Sequence, residues 1–289
     1  MASAGIAENT ASTYSTARNK FQSFRGSYNL PNNWPLPLNE VVLFITYCFE
    51  KALSARTIAT YISGLAFFHK INNWPDFSQA FIVKKLLEGC HRSRRTFDTR
   101  APITMDMLKE ICKLLPTICH DAYEYQLFKA MFCLAYFGLF RVGELVSTKG
   151  QVNMLQSRDV TLDIPNKHVL ISMSRFKTNQ RGNPVILKLP CERDGSICPV
   201  HSLQKYLFYK SSQTGPLFIH SNGAVATRYQ FAAVLKKCID RSQYNHSNVK
   251  THSFRIGRAT QLALMGLSES AIMKLGRWHS PAYNTYIRV

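Results

Sequence analysis

Only one block of this 289-residue chain alternates at the period of a β-strand. DVTLDI, KHVLISMSRF and PVILKLP fall within residues 159 to 190, are rich in β-branched residues, and are separated by turn signals at PN (165 to 166) and NQRGN (179 to 183). Strand side chains point to alternate faces, so this block predicts a small antiparallel sheet with Lys177 at the tip end of its second hairpin. Elsewhere the apolar residues recur at three and four. NEVVLFITYCFEKAL, SARTIATYISGLAFFHKI and SQAFIVKKLLEGC open on the candidate N-caps Asn39, Ser54 and Ser78. TMDMLKEICKLL and the long apolar YQLFKAMFCLAYFGLF, which runs into Arg141, precede the sheet. PVHSLQKYLFYK, RYQFAAVLKKCI, THSFRIGRATQLALMG, SESAIMKLG and SPAYNTYIRV follow it, the last with Ser280 as N-cap and Pro281 in the first helical position. The chain is expected to be mainly α with one small antiparallel sheet.

Composition divides the chain along its length. Residues 1 to 35 are polar, end in LPNNWPLP and read as a flexible, irregular segment. Residues 36 to 91 form a small helical domain, and HRSRRTFDTRAP, with Pro102 at its end, makes residues 92 to 102 a basic linker. Residues 103 to 289 form the second domain. The 36 Lys and Arg against 17 Asp and Glu give a formal charge of +19. That excess is shared: residues 1 to 100 carry 12 basic and 6 acidic groups, and the remainder 24 and 11. Such a balance points to a polyanionic partner, with double-stranded DNA foremost. Arg92, Arg94, Arg95 and Arg100 in the linker, Arg175 and Arg181 in the hairpin, and Arg258 are candidate phosphate contacts.

Several classes are excluded. No apolar run approaches the roughly 18 residues of a membrane span, and MASAGIAENTASTYSTARNK lacks the apolar core of a signal peptide. The eight cysteines form no CxxC pair and read as reduced core thiols. Cys191, Cys198 and His201 hint at a metal site, but no fourth ligand stands at a convincing spacing, so neither metal nor cofactor is expected. There is no GxxxxGK[ST], HExxH or GxSxG, and no carboxylate cluster of the kind that holds two magnesium ions.

What remains is a series of cations: Arg141 in LFRVGEL, Lys177 in SRFKTNQRG, His252 and Arg255 in THSFR, then Arg277, Trp278 and His279 before Tyr286. Attack on a phosphodiester places extra negative charge on the non-bridging oxygens, which forked guanidiniums neutralise. A phenol with an ordinary pKa of about 10 is a weak nucleophile until a positive field favours phenolate and a base takes its proton. A lysine on a hairpin suits protonation of the leaving alkoxide. Each residue also has a plainer reading. Arg141 and Glu144 make a surface ion pair, Lys177 is solvated, His252 and Arg255 cap a helix, and Trp278, Tyr283 or Tyr286 pack a core.

In order and spacing, LFRVGEL, RFKTNQRG, THSFR, LGRWHS and Tyr286 resemble the tyrosine recombinases, or phage integrases. The resemblance spans roughly residues 104 to 288, and the preceding helices look like the family's core-binding domain. The ending GRW-x-S-P-x-Y-x-x-YIR looks most like recombinases of eukaryotic mobile elements, the DIRS-like and Crypton-like groups. The resemblance implies that Arg141 and Arg255 clamp the scissile phosphate, Lys177 protonates the leaving 5′ oxygen, and His252 handles the tyrosine proton. Tyr286 becomes the 3′-phosphotyrosine, and Glu144 orients the first arginine or its neighbours. Nine residues before Tyr286 stands Arg277, where the family has His or Trp. Either Arg277 fills that catalytic position as a phosphate donor, or Trp278 or His279 does.

Many family members have a helix beyond the tyrosine, whereas here only Ile287, Arg288 and Val289 follow it, so either this chain is cut short or it assembles through other surfaces; tetramers are expected on DNA. The implied function is a site-specific recombinase or integrase that needs neither metal nor ATP and mobilises a transposable element. The alternatives are a domesticated, catalytically silent DNA-binding protein and a type IB topoisomerase. The location is the nucleus in a eukaryotic host and the cytoplasm otherwise.

Overall fold

The computed structural model describes residues 5–94, 97–148, 154–174 and 184–288, and the chain divides into two compact units, Met1–Asp98 and Thr99–Val289. Among the described residues there are eleven α-helices and one three-stranded sheet. Lys177, Arg175, Arg181 and Arg95 lie outside the described residues.

The first unit contains α1 (Glu8–Ser27), α2 (Leu38–Glu50), α3 (Ala55–Ile71) and α4 (Phe81–Ser93). The stretch expected to be flexible and irregular is largely the helix α1. Its Ala17, Phe21, Phe24 and Arg25 are buried, and Phe21 and Phe24 pack on Phe44 of α2. The Ser, Thr and Asn content suggests a loop, yet the apolar residues recur at helical spacing and supply one stripe of the core. Arg25 donates to Glu40 at 2.7 Å in a buried ion pair. Ser54 caps α3 by accepting from the Thr57 N–H at 3.1 Å. The other two expected caps are displaced, because α2 starts after Pro37 and Ser78 sits in a 3₁₀ turn capped by Asp76 before α4 begins.

The second unit adds α5 (Met105–Leu114), α6 (Ala122–Phe137), α7 (Val142–Leu145), the strands β1 (Val160–Asp163), β2 (His168–Met173) and β3 (Val185–Pro190), then α8 (Pro199–Tyr209), α9 (Arg228–Arg241), α10 (Ser253–Leu264) and α11 (Glu269–Gly276). The sheet is antiparallel in the order β1-β2-β3, with Val160 opposite Ile171 and Ile171 opposite Leu187. Helix α6 is apolar on all sides and buried from Leu127 to Phe137, which makes it the axis that α8 and α10 pack around. Instead of the expected α-helix, the segment after α11 is a 3₁₀ helix, Pro281–Tyr286.

Residues 99 to 103 join the second unit as a strap. Ile103 N–H donates to the Ser253 carbonyl at 3.1 Å and Ala101 N–H to the Asn248 carbonyl at 3.0 Å. The strap crosses α10 at Gly257, where a Cβ would lie 1.8 Å from the Ile103 carbonyl oxygen. Only backbone opposes the added methyl, so Gly257→Ala is expected to cost about 1–3 kcal/mol or more, measured by urea unfolding. Near-native stability of that variant would contradict the close approach.

Candidate active site

Four short elements build the site: the turn after α6, α7, the start of α10, and the 3₁₀ helix at the end of the chain. Helix α6 stops at Gly138, and Leu139 takes a left-handed conformation with φ 50°. That turn aims two carbonyls inward. The Leu139 carbonyl accepts from Arg255 Nη1 and, at 3.1 Å, from Arg277 Nη2, while the Gly138 carbonyl accepts from Arg277 Nη1 at 3.0 Å.

Arg141 caps α7, and Glu144 closes the turn by accepting from the Arg141 backbone N–H at 2.8 Å and from its Nη1 at 3.0 Å. The pair is not on the surface, since the Glu144 side chain is 8% exposed and its other oxygen takes Arg277 Nη2 at 3.0 Å. Burial would raise the Glu144 carboxyl, but the guanidiniums of Arg277, Arg141 and Arg255 together bring it below the usual carboxylate range.

Helix α10 carries His252 at its N-cap position and Arg255 in its first turn. Arg255 is fully buried, donates from Nη2 to the Gly276 carbonyl at 3.1 Å, and lies 4.5 Å from the Trp278 ring centre and 5.3 Å from that of Tyr286. Burial foremost, then the charge of Arg141, pushes this guanidinium down to about 9. His252 Nε2 is 2.6 Å from the Tyr286 hydroxyl. Thr260 holds the last turn onto α10 by donating to the Tyr286 carbonyl at 3.3 Å and accepting the Arg288 N–H at 3.0 Å.

Arg277, Trp278 and His279 lie in three different surroundings. Arg277 ends α11 in the left-handed region, with φ 56° and ψ 45°. This reversal folds the Trp278 indole back over Gly276, where a Cβ would meet the ring at 1.7 Å. Arg277 is thereby turned into the core at 3% exposure, where it donates to the Gly138 and Leu139 carbonyls and to Glu144. Trp278 is the residue brought to Tyr286, with ring centres 5.0 Å apart, and His279 is exposed.

The two tyrosines have separate surroundings. Tyr283 is 2% exposed in a core with Leu262, Ile272 and Trp278, and the Glu269 carboxylate pushes its phenol up to about 12. Tyr286 is half-buried and faces His252.

The remaining candidates are dispersed. Arg92 is exposed on α4. Arg94 stacks 3.9 Å over the Phe49 ring and donates to the Leu53 carbonyl at 3.0 Å, so it ties α4 to the α2–α3 turn. Arg100 is half-buried in the strap. Arg258, expected as a phosphate contact, has a side chain 15% exposed and is held by Gln261 at 2.7 Å and Glu192 at 3.9 Å over the Phe137 ring. Leu139, Gly138 and Thr260 belong to the site but were absent from the sequence candidates, because they act largely through backbone carbonyls or as an anchor for the last turn.

Residues 103–289 match the profile of the Phage integrase family. No curated protein sequence matches the chain. Among solved structures, the Tn1549 transposon integrase in complex with circular intermediate DNA is similar at a TM-score of 0.61 and 17% identity, over 98% of this chain and 91% of that one. A lambda integrase dimer bound to a COC′ core site gives 0.66 and 14%, over 99% and 73%. The XerH recombinase in a post-cleavage complex with palindromic difH gives 0.65 and 15%, over 96% and 75%. At such identities the likeness is one of fold: a helical unit followed by a mainly helical unit with a small antiparallel sheet. The family match itself covers well over half of the sequence, and the chain therefore belongs to the phage integrase family, the tyrosine recombinases.

Proposed function

We propose that this chain, a DNA strand transferase by family, cleaves and rejoins duplex DNA through a 3′-phosphotyrosine at Tyr286 and in doing so mobilises a transposable element. The observation that carries this reading is the 2.6 Å contact between His252 Nε2 and the Tyr286 hydroxyl beside a cluster of guanidiniums. A nucleophile in hydrogen-bond reach of a base, next to fixed positive charge, is the arrangement phosphoryl transfer needs. In the proposed step the Tyr286 oxygen bonds to phosphorus, its proton passes to His252, and the bond from phosphorus to the 5′ oxygen breaks. Arg141 and Arg255 neutralise the charge that develops on the non-bridging oxygens, and Lys177 gives the leaving oxygen its proton. Rejoining reverses the step, so the ester energy is conserved and no nucleoside triphosphate is consumed.

Two further observations favour a phosphate beside Tyr286. The Arg255 Nε–H and the Trp278 Nε1–H are both buried and have no acceptor among the described residues. Buried donors left without partners are uncommon in folded proteins, and a phosphate oxygen would satisfy them. The solved relatives include complexes with transposon DNA and a post-cleavage complex, which supports duplex DNA as the substrate. Exchange between two duplexes uses four cleavage events, so the working assembly proposed is a tetramer on DNA.

The test uses a nicked suicide duplex drawn from a pool selected for binding to the protein, without magnesium or nucleotide. A covalent adduct that survives denaturation is expected. If every well-bound duplex fails to give one, the catalytically silent DNA-binding protein is the better reading. Binding itself is expected to weaken by roughly 10³ to 10⁵ between 50 and 200 mM salt for about 6 to 10 phosphate contacts, read by fluorescence anisotropy.

A further inference from the structure

The loop between β3 and α8 folds Cys191 and Cys198 against His201 in the first turn of α8, and their ligand atoms all lie within 4.8 Å of one another. Cys191 Sγ is 3.3 Å from Cys198 Sγ and 3.6 Å from His201 Nε2. The Glu192 backbone N–H donates to Cys198 Sγ at 3.4 Å. None of these groups takes part in the site around Tyr286.

Two sulfurs and an imidazole nitrogen converging on one point form the ligand type that zinc prefers. Tetrahedral zinc, with bonds of about 2.3 Å to sulfur and about 2.0 Å to nitrogen, sets sulfur and nitrogen roughly 3.6 Å apart and two sulfurs roughly 3.8 Å apart. The Cys191–His201 edge already has that length, and the sulfur edge needs to open by only about half an ångström. A backbone N–H directed at a ligand sulfur is the kind of outer support that orients a metal's thiolates. A disulfide between the cysteines would leave the convergence of His201 on Cys191 unexplained.

We propose that Cys191, Cys198 and His201 bind one divalent ion of the zinc class, each cysteine as a thiolate whose proton is released to solvent. Sequence spacing argues against a site because it shows no fourth protein ligand. Three ligands suffice where the fourth position is open to water, and here His201 is exposed. The ion would pin the end of β3 to the start of α8. Because β3 pairs with β2 along its whole length, the ion would also anchor the base of the hairpin whose connection carries Lys177.

The experiment uses the full chain, reduced and dialysed free of metal, titrated with cobalt(II) and then zinc. Expected are one ion per chain by native mass spectrometry, thiolate-to-cobalt charge-transfer absorption, and displacement of the cobalt by zinc. His201→Gln alters an exposed side chain and is expected to fold, yet to weaken retention by more than about 100-fold, since losing even an outer-shell partner costs about 10- to 100-fold. Cys191→Ser is expected to remove the charge-transfer absorption. The proposal is overturned if the wild-type chain shows no such absorption, if both variants bind the ion as tightly as wild type, or if the two cysteines oxidise to a disulfide in preference to taking up metal.

Discussion

Tyr286→Phe is expected to abolish the covalent protein–DNA adduct, lowering its rate of formation by at least about 10⁴-fold, the order seen when a nucleophile is removed from a catalytic unit. The substitution deletes one oxygen and leaves the ring where it packs, 5.0 Å from Trp278 and 5.3 Å from the Arg255 guanidinium. Folding and DNA affinity should therefore change little, which separates chemistry from binding. Tyr283→Phe is the matched control, and its adduct should form at close to the wild-type rate. Tyr283 lies buried, and the Glu269 carboxylate raises its phenol to about 12, the wrong direction for a nucleophile at neutral pH. His252→Gln should fall between them, at about 10²- to 10⁴-fold slower, as expected for loss of a general base. Denaturing electrophoresis of radiolabelled suicide duplex reads all three. An adduct persisting in Tyr286→Phe would remove Tyr286 from the role.

The same pair of tyrosines shows how far the sequence could be read. The residues alone leave Arg141, His252, Arg255 and either tyrosine open to plainer packing roles, and it is the resemblance to the tyrosine recombinases, carried by the order of five motifs along the chain, that implies their roles and prefers Tyr286. Strand alternation over residues 159 to 190 is a local signal, and the observed β1, β2 and β3 fall inside the three predicted runs. Two kinds of information were not legible. Backbone carbonyls carry no residue signature, so the Leu139 carbonyl, shared by Arg255 and Arg277, is invisible until the left-handed turn at Leu139 is known. A reversal at a non-glycine residue is equally hidden. Counting nine residues back from Tyr286 lands on Arg277, but its φ of 56° turns that side chain inward and brings its neighbour Trp278 to the tyrosine. Helix α1 was missed for a third reason. Its polar composition outweighs a stripe of Ala17, Phe21 and Phe24 that becomes meaningful only against Phe44.

Glu144→Gln is expected to destabilise the second unit by about 3–5 kcal/mol, the range for breaking a buried ion pair from one side. The carboxylate is 8% exposed and touches both Arg141 and Arg277, with Arg255 adding to the field, so its loss leaves several buried positive charges opposed only by carbonyl dipoles. The pH dependence has a definite sign. The folded carboxyl titrates below its unfolded value, so its contribution is present above the ordinary glutamate pKa of about 4.3 and is lost as pH falls through the lower folded value. Wild type should therefore lose stability on that acid limb, and Glu144→Gln should lack this part of the slope. Urea unfolding at several pH values measures both, with hydrogen-exchange protection in α10 assigning the change to the second unit. A double-mutant cycle with Arg277→Met should return a coupling of about 0.5–3 kcal/mol, because the two side chains are in direct contact at 3.0 Å. If Glu144→Gln costs under about 1 kcal/mol and keeps the wild-type acid limb, the guanidiniums are held by the Gly138, Leu139 and Gly276 carbonyls alone. In that case the carboxylate does not hold this cluster together, and positioning Arg141 at the phosphate would be the role left for it.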